Sequence, residues 1–104
     1  MAGFQVLGIA NNGDEAIKMF KNFTEKPDII ILDYRMPIKN GIEALKEIIH
    51  IDHNSRIIFA SADKTIKKEV YSYGAMGFLD KPFTHDKLIT TLNKCLNSRG
   101  ILHI

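Results

Sequence analysis

The stretch PDIIILDYRMPIKNG, residues 27–41, decides the fold. Its first half is an apolar run introduced by a proline, the pattern of a parallel strand buried on both faces. Asp33 stands where the run stops. In an open α/β sheet, chemistry lies just outside the carboxyl ends of the strands, so a carboxylate there is placed to act on a group arriving from solvent. Position alone is weak testimony, because an aspartate after a strand more often forms a turn or caps a helix.

Outward from that stretch the same pattern repeats. Residues 4–10, FQVLGIA, read as a strand, and Asn11-Asn12-Gly13 as a turn into a helix, with Asn12 and Glu15 resembling a capping box. Ala16, Ile17, Phe20 and Phe23 are spaced for one apolar helix face. After Gly41 a second helix buries Ile42, Leu45, Ile48 and Ile49. Residues 56–60, RIIFA, form an apolar strand that ends at Ser61, and Ile66, Val70 and Tyr73 mark a third helix with Gly74 as its stop. Lys64, Lys67, Lys68 and Glu69 take its solvent side. Residues 77–80, GFLD, form a short strand running into Lys81-Pro82-Phe83. Thr84 caps a last helix whose buried stripe is Leu88, Ile89, Leu92, Cys95 and Leu96, and Gly100 is suited to end it.

Composition bounds what such a chain does. With 104 residues, 45% hydrophobic and 25% charged, it reads as one globular domain, residues 1–104. The net charge of +2 comes from 14 basic and 12 acidic residues that are interspersed, which indicates neither a nucleic-acid footprint nor a membrane-binding patch. Cys95 is the single cysteine, so no internal disulfide forms, and no leader or long apolar span appears; a cytoplasmic location is expected. His50, His53 and His85 read as surface residues without metal-ligand spacing.

Strands alternating with helices of this length imply a parallel sheet with right-handed crossovers and helices on both faces. Asp33, Ser61 and Lys81 each follow an apolar strand, so the fold carries them to one sheet edge. A carboxylate nucleophile, a hydroxyl and an ammonium around one point suit the formation and stabilisation of an aspartyl phosphate.

At these residues the chain resembles the receiver domain of two-component response regulators, which has a flavodoxin-like, doubly wound α/β fold. The resemblance is carried by Pro27-Asp28, Leu32-Asp33, Met36-Pro37 with Gly41 and Glu43, Ala60-Ser61-Ala62, Gly74-Ala75 with Gly77-Phe78, and Lys81-Pro82-Phe83. It implies that Asp33 is the phosphoacceptor, charged by a histidine kinase. Ser61 and Lys81 then contact the phosphate, Ser61 and Phe78 are the switch residues, and the Lys81-Pro82 bond is cis. Any enzymatic activity is at most self-phosphorylation and dephosphorylation at Asp33.

The resemblance also implies a departure. In the family's 2-1-3-4-5 sheet, a first strand ending in an acidic pair and a first helix precede everything seen in this chain. Mg²⁺, the family cofactor, is left with Asp33 and the backbone carbonyl of Arg35 as protein ligands, so weak binding is expected. The tail Ile101, Leu102, His103 and Ile104 reads either as a replacement strand in the vacant slot or as a frayed end. The uncovered sheet face predicts a homodimer. Two functions follow: a phosphoacceptor signalling through protein contacts, or a phosphorylation-incompetent receiver remnant acting as a dimerisation and interaction module.

Overall fold

The computed structural model describes residues 13–33 and 38–102. Their order is α1 (Gly13–Asn22), β1 (Ile30–Asp33), α2 (Ile38–Ile51), β2 (Ile57–Ser61), a 3₁₀ turn (Lys64–Ile66), α3 (Lys67–Ser72), β3 (Gly77–Asp80) and α4 (His85–Leu102). The described strands form one parallel sheet in the order β1-β2-β3. The expected strand at 4–10 and the Asn12 cap lie outside the described residues.

The strands explain the layering. Side chains alternate across a strand, so each short apolar run feeds two cores. Leu32, Ile57, Phe59 and Phe78 face Phe20 of α1, Ala44, Leu45 and Ile48 of α2, and Ile66 and Val70 at α3. Ile58, Ala60 and Leu79 face Leu92 and Cys95 of α4, with Ile29, Ile31, Leu88 and Ile89 packed at the margin. Among the described residues, α4 is therefore the one helix on the second face, and Ile29 and Ile31 there stay only half-buried. All five residues of β2 are buried, as a strand paired on both sides and covered on both faces requires.

Two glycines fix close geometry. Gly74 ends α3 at φ 110°, which side chains resist, and a Cβ there would stand 3.2 Å from Ile49 Cγ1. A Cβ on Gly77 would meet Ile58 at 3.3 Å and Cys95 Sγ at 3.5 Å, so its absence lets α4 lie close on β3.

The end of α1 is closed by a side chain. Lys26 Nζ donates to the carbonyls of Phe20 at 2.6 Å and Phe23 at 3.1 Å, and lies 4.7 Å from the Phe20 ring centroid. A cation on carbonyls that the helix leaves without partners is favoured by the helix dipole. Lys26→Met is expected to lower stability by about 1 kcal/mol, discounted for exposure, read as a lower urea midpoint at unchanged slope.

Two sequence expectations are corrected. The second helix begins at Ile38 and runs through Gly41, rather than starting after it. Ile101 and Leu102 continue α4 instead of forming a replacement strand, and residues 103 and 104 lie outside the described residues. Glycine disfavours helix by only about 1 kcal/mol relative to alanine, too little at Gly100 to stop a helix already propagating. A strand at residues 101 and 102 therefore does not complete the sheet.

Candidate functional site

The site is assembled by register. Asp33, the last residue of β1, is paired with Ala60, and Ser61, the last residue of β2, is paired with Asp80, the last of β3. The Lys81 amide then donates to the Ser61 carbonyl at 3.0 Å, holding the chain after β3 against the end of β2. Asp33, Ser61 and Lys81 thus come to one carboxyl edge of the sheet, as their spacing predicted. Arg35 lies outside the described residues.

Ser61 is 7% exposed, yet its hydroxyl is not idle. Its Oγ accepts the Asp63 amide at 3.0 Å, and Asp63 Oδ1 in turn accepts from the Thr65 amide at 2.9 Å and the Thr65 hydroxyl at 2.5 Å. The Asp63 side chain caps the 3₁₀ turn, so one chain of bonds runs from Ser61 into the 3₁₀ turn that precedes α3. The Ser61 oxygen is used as an acceptor, which leaves its O–H to donate elsewhere. This relay was not read from the sequence; its signal was Ser-x-Asp-x-Thr, a repeated two-residue turn spacing in which side-chain oxygens take local amides.

The Thr65 hydroxyl, and then the Thr65 amide, hold the Asp63 carboxyl below its usual pKa of 3.8. A depressed carboxylate contributes stability that is present above its unfolded pKa and lost as pH falls through the folded one. Asp63→Asn is therefore expected to flatten the acid limb of the stability–pH curve below about pH 4, while leaving its shape near pH 7 unchanged, as followed by thermal melts at stepped pH.

Beneath the edge, Phe78 is 8% exposed and stacks on Phe59, with centroids 6.4 Å apart and rings 18° from parallel. The phenylalanine proposed as a switch is thus seated in the core in this structure. Lys81-Pro82 is cis, as expected. Above β3, burial pushes the Tyr71 hydroxyl pKa up, with the Cys95 and Asp80 charges adding to the rise and the Phe78 backbone opposing it. Asp80 Oδ1 is buried with no hydrogen-bond partner, a feature the sequence did not flag.

No group of three or more His, Cys, Asp or Glu side chains able to hold a metal occurs among the described residues. Magnesium is commonly held by one or two carboxylates, waters and phosphate oxygens, so an aspartate at the end of β1 is compatible with a weakly held ion. No helix among the described residues is long and apolar enough to cross a membrane.

Comparison with known proteins matches this geometry. The response regulator receiver domain family matches residues 1–93. The chain is 43% identical over 95 residues to chemotaxis protein CheY of Thermotoga maritima, covering 89% of this chain and 78% of that protein. It is 39% identical over 97 residues to CheY of Bacillus subtilis, covering 91% and 79%. Among solved structures, the CheX–CheY–BeF3–Mg complex from Borrelia burgdorferi matches with a TM-score of 0.82 at 32% identity, covering 90% of this chain and 72% of that chain. TrrA of Thermotoga maritima in complex with Mg(2+)-BeF matches at 0.69 and 31%, covering 83% and 73%. The parallel sheet with Asp33, Ser61 and Lys81 at its carboxyl edge, the family match and the CheY relatives together place this chain in the response regulator receiver domain family, with its flavodoxin-like fold.

Proposed function

We propose that this receiver domain takes a phosphoryl group from the phosphohistidine of a histidine kinase onto Asp33 and signals through protein contacts. The observation that carries the reading is the convergence of Asp33, Ser61 and Lys81 on one edge through the β1-β2-β3 register. Asp33 supplies the attacking carboxylate oxygen, and the phosphoryl leaves the kinase imidazole in line with that attack. The Lys81 ammonium and the Ser61 O–H take the equatorial phosphoryl oxygens, where charge gathers. Asp33 and the Arg35 carbonyl would hold Mg²⁺, which supplies charge neutralisation at those oxygens when bound. Relatives caught with BeF3 and Mg support the same chemistry in this chain.

Phosphate at Asp33 gives the Ser61 hydroxyl a stronger acceptor than water, and Ser61 moves towards it with the Asp63 turn in tow. Phe78 then follows into the space vacated, altering the surface between α3 and α4. The test is intact mass after incubation with a small phosphodonor and Mg²⁺: one phosphoryl increment is expected, and a folded sample that gains none makes the chain an interaction module instead.

The protein works in the cytoplasm with a kinase partner and pairs as a homodimer. The half-buried Ile29 and Ile31, on the face that α4 alone covers among the described residues, support pairing with a second copy. Sedimentation at micromolar concentration is expected to give twice the 11.8 kDa chain mass. A compact monomer would remove the dimer.

A further inference from the structure

Two polar groups at the carboxyl edge are left over among the described residues. Asp80 Oδ1 is buried without a hydrogen-bond partner, and Ser61, whose oxygen accepts the Asp63 amide at 3.0 Å, still has an O–H to give. They stand side by side. Ser61 and Asp80 are register partners, and the pairs before them show which way they face: Phe59 and Phe78 meet in one core, Ala60 and Leu79 in the other. Alternation returns Ser61 and Asp80, the last pair, to the Phe78 side of the sheet. The Lys81 amide, bonded to the Ser61 carbonyl at 3.0 Å, keeps that pairing closed at its end. Neighbouring strands lie about 5 Å apart, a gap that a serine and an aspartate side chain on one face span between them. A buried carboxylate oxygen without a donor is costly, whereas a hydroxyl offered to an ionised oxygen makes one of the stronger hydrogen bonds.

From this juxtaposition we propose that Asp80 is a positioning residue of the phosphoryl site: its Oδ1 is the acceptor for the Ser61 hydroxyl while Asp33 is unphosphorylated, so the hydroxyl chooses between Asp80 and a phosphoryl oxygen. A turn of the Asp80 side chain about χ1 closes the gap while Ser61 Oγ keeps the Asp63 amide. The bonds then run from the Asp63 N–H through the Ser61 hydroxyl to Asp80, each polarising the next. A hydroxyl has one proton, so the two acceptors exclude each other. Asp80 therefore weakens the phosphorylated site by the share of molecules in which it holds Ser61 back. The Tyr71 hydroxyl is the rival donor, since the Asp80 charge reaches it. Ser61 is favoured because it is 7% exposed and paired with Asp80 in register, whereas Tyr71 is 41% exposed and has water to donate to. The inference rests on the receiver reading only for the second acceptor; the bond from Ser61 to Asp80 belongs to the chain without phosphate.

Two double-mutant cycles on the whole chain test this. The first needs no phosphoryl chemistry: urea unfolding of wild type, Ser61→Ala, Asp80→Ala and the double variant, in which the loss of the Asp63 amide bond cancels. The two changes are expected to couple by about tenfold in the unfolding equilibrium constant. Coupling below about twofold overturns the proposal, and so does a coupling of Asp80→Ala to Tyr71→Phe in place of Ser61→Ala. The second cycle uses beryllofluoride, a stand-in for the phosphoryl group, with Mg²⁺, and reads its affinity by fluorine NMR. Asp80→Ala is expected to tighten binding about fivefold when Ser61 is present. In the Ser61→Ala background the gain is expected to fall below about twofold, because only a negative charge two strands from Asp33, about a Debye length away, is then removed. Equal tightening in both backgrounds makes Asp80 a distant charge and overturns its positioning role. A wild type that binds no beryllofluoride ends the phosphoacceptor reading and that role with it, while the first cycle still decides the bond from Ser61 to Asp80, so the two failures are told apart.

Discussion

Asp33→Ala is expected to abolish phosphoryl incorporation, to below about one per cent of wild type by intact mass, with far-UV circular dichroism unchanged. The reason is chemical rather than steric. An acyl phosphate forms only on a carboxylate oxygen, and removing a covalent nucleophile removes the intermediate itself rather than a share of its stabilisation. Two other carboxylates stand near the same edge. Asp63 is committed to Thr65, and Asp80 sits one strand beyond Ser61 with Oδ1 buried. Neither occupies the end of β1, where the register sets Asp33 beside Ala60. Lys81→Met in the same assay keeps the nucleophile and removes the positive charge, so incorporation is expected to slow by about a hundredfold rather than vanish. If the alanine variant still gains a phosphoryl increment, the acceptor is a different residue and the assignment fails.

The largest stability effect is expected at Phe59. Phe59→Ala should cost about 3–5 kcal/mol, measured by urea denaturation with phosphorylation read in parallel. Phe59 is 2% exposed in the central strand and stacks on Phe78, so truncation loses both the transfer energy of the ring and its aromatic neighbour. A domain of this size has roughly 5–15 kcal/mol in hand, so the loss approaches the whole at the lower end. Phe59→Leu keeps most of the volume and is expected to cost about 1–2 kcal/mol, leaving a folded protein in which Phe78 has lost its stacking partner. Equal costs for the two substitutions would show that the core collapses around the missing ring.

Much of the molecule was legible in local sequence because local physics decided it. The strand Gly77–Asp80 was read with its observed bounds, since an apolar run between a glycine-containing turn and a proline has one plausible conformation. Gly74 was read as the end of α3 because positive φ favours glycine, and Thr84 as the cap of α4, where its Oγ1 accepts the Lys87 amide at 3.1 Å. Bringing Asp33, Ser61 and Lys81 to one edge followed from strand order alone, because parallel strands joined by helical crossovers carry their ends to the same side.

The rest needed tertiary structure. Helix ends at Ile38 and Leu102 depend on propagation and on what the helix packs against, for which a glycine in the sequence is too weak a signal. That α4 stands alone on one face among the described residues, while α1, α2 and α3 share the other, is set by which way each crossover passes over the sheet; periodicity gives a helix an apolar side but not a layer. The use of the Ser61 hydroxyl is decided the same way, since residue types fix what it can bond to and only the folded turn brings the Asp63 amide within 3.0 Å. Sequence determined which groups this receiver domain has and the edge they reach; the packed chain determined which of them are already engaged there, because hydrogen bonds and burial depend on distances that no spacing along the chain contains.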